Sequence, residues 1–175
     1  SVPTGLSASV AYIITITDNK SCAITGNITL SQPTAITATM SFTAPSCNSG
    51  TNGTATVTAQ GGTAGYTYIW NTVPAQTTSA STGLSSDTYI VTVTDSKACT
   101  ATNNVTLTEP SAMTIAMTDT SPTCFGGTNG KATVSVTGGT GPYTYSWSTN
   151  PVQSSTNATG LSAGVPYIVT ITDFK

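Results

Sequence analysis

Charge is what this sequence has least of. Only 6% of its 175 residues are charged, against about 25% in an average soluble protein. Four lysines, no arginine and a net charge of -2 leave no basic patch, which excludes nucleic acid and anionic membrane surfaces as partners. Histidine is absent, and the acids are one glutamate and five scattered aspartates. Proton transfer and nucleophilic attack need more than that inventory supplies, so the chain is not expected to be an enzyme or to hold a cofactor or metal. No apolar run approaches the roughly 18 residues that cross a bilayer, so membrane insertion is not expected. The opening SVPTGLSASV lacks the basic and apolar regions of a signal peptide, and any export signal is expected to lie outside it.

What remains is apolar residues and hydroxyls. Hydrophobic residues make up 37% of the chain, enough to fill a core in each of two small domains. About forty threonines take the place of the usual surface charges and keep the exterior wet. Four cysteines without a histidine fit an oxidising compartment better than a metal site or the cytosol, so the protein is expected to be secreted.

Sliding the sequence against itself reveals a period of 77. Cys22 maps to Cys99, Cys47 to Cys124, Trp70 to Trp147, Pro33 to Pro110 and Asp18 to Asp95. TNGTATVTAQGGTAGYTYIW (Thr51 to Trp70) matches TNGKATVSVTGGTGPYTYSW (Thr128 to Trp147), and a closing PYIVTITDFK is offset by 78 through one inserted residue. A unit this long is a whole small β domain and not a solenoid turn. Counted from the residue after SQP and TEP, the chain holds the end of one repeat (1–33), a complete repeat (34–110), and most of a third (111–175), cut before its last strand.

Inside the complete repeat the apolar period is two, the mark of strands. Ile36, Ala38, Met40 and Phe42 are expected to face one way in a first strand, Ala55, Val57 and Ala59 in a second, and Tyr66, Tyr68 and Trp70 in a third. A weaker strand falls near 77–83, Tyr89, Val91 and Val93 mark the next, and Val105 and Leu107 the last. Short strands punctuated by Gly, Pro, Asn and Asp predict an all-β fold of tandem immunoglobulin-like or fibronectin III-like antiparallel sandwiches. GLSSDTY (Gly83 to Tyr89) resembles a tyrosine corner, with Tyr89 and Tyr167 as the hydroxyls that tie back to the preceding backbone.

Several residues admit a chemical reading beside a structural one. Asp18, Asp95 and Asp173 end equivalent strands; calcium needs several converging oxygens, and without a second acid nearby these read as turn caps. Tyr66, Tyr68 and Trp70, with Tyr143, Tyr145 and Trp147, have the spacing of a sugar-stacking strip, but their alternation with Thr, Ile and Ser points them inward as core. The structural core is therefore assigned to Trp70, Trp147, Tyr68, Tyr145, Tyr89 and Tyr167. Sequons at Asn27, Asn52, Asn104 and Asn157 carry little weight where threonine is this abundant.

The cysteines allow two pairings. Cys47 with Cys99 closes a loop of 52 residues, whereas Cys22–Cys47 and Cys99–Cys124 each close 25. Loop entropy, roughly 4 against 3.5 kcal/mol, does not separate them. Four strands between Cys47 and Cys99 make an even number of crossings, which returns both to one end of the sandwich and favours the bond within the repeat.

At CFGGTNGKATVSVTGGTGPYTYSW (Cys124 to Trp147), GLSSDTYIVTVTDSKAC (Gly83 to Cys99) and VTLTEP (Val105 to Pro110), the chain resembles the SprB repeat family of large Bacteroidetes surface adhesins. The second repeat departs from the pattern where Asn48, Ser49 and Gly50 follow Cys47, and at Ala64 and Gly65, where the third has Gly141 and Pro142. The resemblance implies extracellular modules exported by the type IX system and strung in series on the outer membrane, with adhesion or gliding as the wider role. The expected function is a structural spacer. Its partners are then neighbouring repeats of the same protein and, at the far end, surface polysaccharide or other cells. Two other readings are a homopolymeric filament built by strand complementation and a glycan-binding module.

Overall fold

The computed structural model describes residues 4–175, and among them every regular element is a β-strand. The second repeat contributes β3 (Thr37–Thr43), β4 (Gly53–Gln60), β5 (Thr67–Trp70), β6 (Ala80–Leu84), β7 (Thr88–Thr94) and β8 (Thr100–Thr106). They form two three-stranded antiparallel sheets, β3-β4-β6 and β5-β7-β8. Alternation dictates this arrangement. Ala55, Val57, Val91, Val93, Leu84 and Leu107 turn inward around Trp70, while the intervening threonines face solvent and supply β-branched side chains suited to a pleated surface. The protein is thus an all-β chain of tandem sandwich repeats.

The flanking repeats reuse the plan. In the first, β1 (Ala11–Thr17) and β2 (Ala23–Thr29) form a hairpin equivalent to β7-β8. In the third, β9 (Thr114–Thr120), β10 (Gly130–Thr137) and β12 (Asn157–Leu161) repeat the first sheet, and β11 (Thr144–Trp147) pairs with β13 (Val169–Thr172). Among the described residues, no strand of the third repeat occupies the place of β8.

Register gives each sandwich a direction. β3 runs from Thr37, opposite Gln60, to Thr43, opposite Thr54, so residues 61–66 lie at one end, here the upper, and the loop 44–52 at the lower. β4 climbs and β7 climbs, but β5 and β6 together make one descent. β5 stops at Trp70, opposite Val91, and β6 begins at Ala80, opposite Thr56, before running down to Leu84 opposite Gly53. Nine residues between them cross from one sheet to the other at mid-height. The expectation of four full crossings between Cys47 and Cys99 is therefore corrected to three.

The alternation failed at one other position. Phe42 was expected inward and is 54% exposed. The third repeat has Asp119 at the equivalent site, a residue that a core position does not accept without a partner.

Candidate functional site: the repeat frame and its joint

The frames of the second and third repeats are each built around one tryptophan. Trp70 and Trp147 are each 1% exposed, and each indole N–H donates to a carbonyl eight residues on, Trp70 Nε1 to Thr78 O and Trp147 Nε1 to Ser155 O, both at 2.9 Å. The loop that makes the mid-height crossing is pinned to that ring. Trp70 N donates to Gln76 O, and the Gln76 amide then brackets β6, with Nε2 donating to Thr82 O at 2.9 Å and Oε1 accepting from Thr82 N at 3.0 Å. Gln153 makes the same pair of bonds to Thr159. Neither glutamine was singled out from sequence; their recurrence at the repeat period was the available signal.

Tyr66 and Tyr68 pack half-buried against the core of the second repeat, and Tyr145 and Tyr167 do the same in the third. Tyr66 and Tyr143 also donate their hydroxyls to Gly61 O and Gly138 O. The aromatic set is thus committed to packing and loop ties and presents no open stacking strip.

The corner geometry occurs in all three repeats. Ser85 N donates to Tyr89 Oη at 3.1 Å, Ser162 N to Tyr167 Oη at 3.1 Å, and Ser7 N to Tyr12 Oη at 2.6 Å. Tyr12 was not assigned from sequence, although its corner, Gly5 to Tyr12, has the same length as that of Gly160 to Tyr167.

Asp18 and Asp95 cap turns, whereas Asp173 ties to a loop across the repeat. Asp95 Oδ1 accepts from Lys97 N and Cys99 N, each at 2.9 Å, and Oδ2 accepts from Thr63 N at 2.9 Å in the neighbouring upper loop. The Thr63 N–H is the main influence holding this carboxyl below its ordinary range; burial opposes it, and the Cys99 and Lys97 N–H groups and the Lys97 charge add to the lowering. Asp18 caps Lys20 N and Cys22 N at 2.8 Å, and Asp173 accepts from Thr140 N at 3.1 Å. The same carboxylate that shapes the hairpin therefore also anchors the Gly61–Gly62 loop. Gly61, at φ +76°, brings its backbone so close to Ala35 that a Cβ would sit 2.1 Å from the carbonyl oxygen.

That loop belongs to the joint. The chain leaves a repeat at the lower end and enters the next at the upper end. Glu109 is held by the repeat it leaves, with Oε1 accepting from Asn48 Nδ2 at 3.0 Å and Oε2 from Ser49 N at 2.9 Å. Ser111 is held by the repeat it enters, its carbonyl accepting from Gly139 N at 2.7 Å. Only Pro110, with its fixed φ, separates the two anchors. A cleft of about 520 Å³ lies at this joint, with Pro45, Asn52 and Glu109 on one side and Thr140 and Lys175 on the other.

The cysteines do not come together. All four are free thiols. Cys47 sits in the lower loop and Cys99 in the upper turn, at opposite ends of β4, whose seven steps span about 23 Å, whereas a disulfide needs Cα atoms within about 7 Å. The bond within the repeat fails because the crossings number three. The pairs Cys22–Cys47 and Cys99–Cys124 fail as well, since each joins the outer ends of two adjacent repeats.

Buried tryptophans and their glutamine loops recur in the second and third repeats, and corner tyrosines in all three. No curated protein matches the chain. The family model for the SprB repeat matches residues 39–75 and 117–152, which run from within β3 and β9 through the tryptophan strand to the crossing loop. SprB repeats are structural repeats typical of cell-surface proteins, and the second and third repeats of this chain are each similar to one over the matched segment.

Proposed function

We propose that the chain is a load-bearing spacer in a long secreted adhesin, holding a distal binding region away from the outer surface of the cell. The observation that carries this reading is the path a pulling force takes. The entering strand β3 and the leaving strand β8 both descend from the upper to the lower end, and they lie side by side, with Asn103 Nδ2 donating to Ala38 O. Tension between the two ends of a repeat therefore loads β3 and β8 in shear along their length. Shear strains many contacts at once, whereas peeling breaks them one at a time. The single-residue joint at Pro110 transmits that load without slack.

Single-molecule extension of the chain from its two ends tests the reading. Unfolding of the second repeat should appear as one force peak followed by a length gain of roughly 24 nm, the stretched length of about 77 residues less the folded bead. Because the thiols lie far apart, the step should be the same length in oxidising and reducing buffer. Smooth stretching without a peak would overturn the proposal.

A further inference from the structure

Asparagine followed by glycine occurs twice in the chain, as Asn52-Gly53 and Asn129-Gly130, at the repeat period of 77. This pair is a chemically weak point of a polypeptide. With no Cβ on the glycine, its main-chain nitrogen reaches the asparagine side chain more freely than that of any other residue. The nitrogen bonds to Cγ, the Cγ–Nδ2 bond breaks, and the amide leaves as ammonia with the proton that the nitrogen gives up. Water then opens the five-membered ring at one of its two carbonyls. Opening at Cγ gives aspartate. Opening at the main-chain carbonyl gives isoaspartate, whose main chain runs on through Cβ and Cγ.

The fold needs both members of the pair. Asn52 ties the lower loop together, with Oδ1 accepting from Ser46 N at 3.0 Å and Nδ2 donating to Ser46 Oγ at 2.8 Å. Asn129 makes the same two bonds to Thr123, at 3.1 and 3.0 Å. Gly53 is buried at the start of β4, where a Cβ would sit 2.7 Å from both Leu107 Cδ2 and Leu84 O. At Gly130 a Cβ would sit 2.7 Å from Leu161 O. Packing therefore keeps a fragile pair in each of these repeats, and the same contacts protect it. Both ends of the Asn52 amide are bound to residue 46, and Gly53 is fixed opposite Leu84 in the ladder. Neither Cγ nor the glycine nitrogen is free to move onto the other. Unfolding releases both at once.

We propose that Asn52-Gly53 and Asn129-Gly130 are modification sites that open when their repeat unfolds, and that isoaspartate formed there prevents the repeat from folding again. The two products differ in their effect. Aspartate at position 52 keeps an oxygen for Ser46 N and turns the Ser46 hydroxyl from acceptor to donor. Isoaspartate adds one atom to the main chain, about 1.5 Å, directly before a glycine that has no room for one. The lower loop and the start of β4 then cannot both be in place. A repeat left unfolded is marked irreversibly, while folded neighbours stay unmarked. The inference needs only that a repeat unfolds, by whatever means, and does not rest on the spacer reading.

The test is to keep the full chain in mildly alkaline buffer with and without guanidinium chloride, and to follow each asparagine by peptide mass spectrometry with isoaspartate resolved by chromatography. Conversion of Asn52 and Asn129 should be at least tenfold faster in the unfolded chain and should lead that of the other asparagines. After dilution into native buffer, a protease that cuts unfolded chains should digest the repeats that carry isoaspartate and spare the unmodified ones. Asn52→Asp, never exposed to denaturant, should resist the protease as the parent does. Equal rates with and without denaturant would overturn the proposal, as would isoaspartate-bearing repeats that resist digestion. So would an Asn52→Asp chain digested like the isoaspartate one, since charge and not the lengthened main chain would then be the barrier. None of these outcomes bears on the force peak of the second repeat at first extension, so the spacer reading stands or falls separately.

Discussion

The second and third repeats follow one plan, but the described residues of the third end with β13, short of a counterpart of β8, and the comparison shows what that strand does in the second. With β8 in place, Tyr89, Val91 and Val93 are buried; without it, Tyr167, Val169 and Ile171 at the same positions are only half-buried, and Met117 is exposed where Met40 is half-buried. The tryptophans do not register the change, since both are 1% exposed with the same indole bond. The repeat thus has a centre that closes on itself, formed by the tryptophan, its glutamine loop and the first sheet. It also has an edge that is finished only by the last strand. The two matched family segments cover the tryptophan strand and the two strands before it, and each stops one residue short of the glutamine.

Leu107→Ala is the sharpest way to break the comparison, because it empties in the second repeat the space that is open in the third. A buried leucine replaced by alanine costs about 2–5 kcal/mol. Urea unfolding followed by tryptophan fluorescence should therefore show the transition of the second repeat moving toward that of the third, which itself stays put. Next in size is the glutamine bracket. Gln76→Ala removes two bonds that hold the crossing loop to β6, at about 1–2 kcal/mol, and Gln153→Ala should cost the third repeat a similar amount because its bracket does not touch the missing edge. A much smaller loss for Gln153→Ala would show that the centre depends on β8 after all.

How much of this was written in the sequence follows from what alternation can and cannot encode. Period two located β3, β4 and β7 because their inward residues are apolar in every second place. The tyrosine corner was legible because Leu84 and Tyr89 flank a short turn. Direction is another matter. β5 has four residues and β6 five, and nothing in TYIW or ASTGL says that each covers half the height of the sandwich; that depends on a loop held by Gln76, a polar residue with no periodic signature. The disulfide expectation failed on that single point. Phe42 failed for a different reason, since a lone hydrophobic residue near a strand end does not need a buried site, and its counterpart Asp119 already contradicted the inward reading.

Acid distinguishes the upper turn from the rest of the frame. Asp95 is held below its ordinary value of 3.8 in the folded repeat, so it binds fewer protons folded than unfolded near that value. The stability this contributes is complete above the unfolded value and is lost as pH falls through the folded one. Thermal unfolding of the second repeat should therefore fall in temperature below about pH 4. Asp95→Asn should be less stable than the parent at neutral pH and show a weaker acid dependence. An unchanged acid profile in the variant would place the sensitivity elsewhere.

The smallest expected effect is a gain, and it comes from the one position where the third repeat is the better built of the two. Ser81 on β6 is fully buried, and its Oγ has no hydrogen-bond partner. The third repeat has Ala158 there, equally buried and with no polar atom to satisfy. A buried hydroxyl without a partner keeps the cost of leaving water and recovers nothing inside. The surroundings are already shaped for a side chain of this size, since Ala55 faces Ser81 across the ladder as Ala132 faces Ala158. Removing one oxygen therefore leaves little void, and Ser81→Ala should stabilise the second repeat by about 1 kcal/mol. The reverse change, Ala158→Ser, should destabilise the third by a similar amount. Urea midpoints of the two variants measure both. If Ser81→Ala lowers the midpoint, the hydroxyl is bonded in solution, and the two centres are not equivalent at β6.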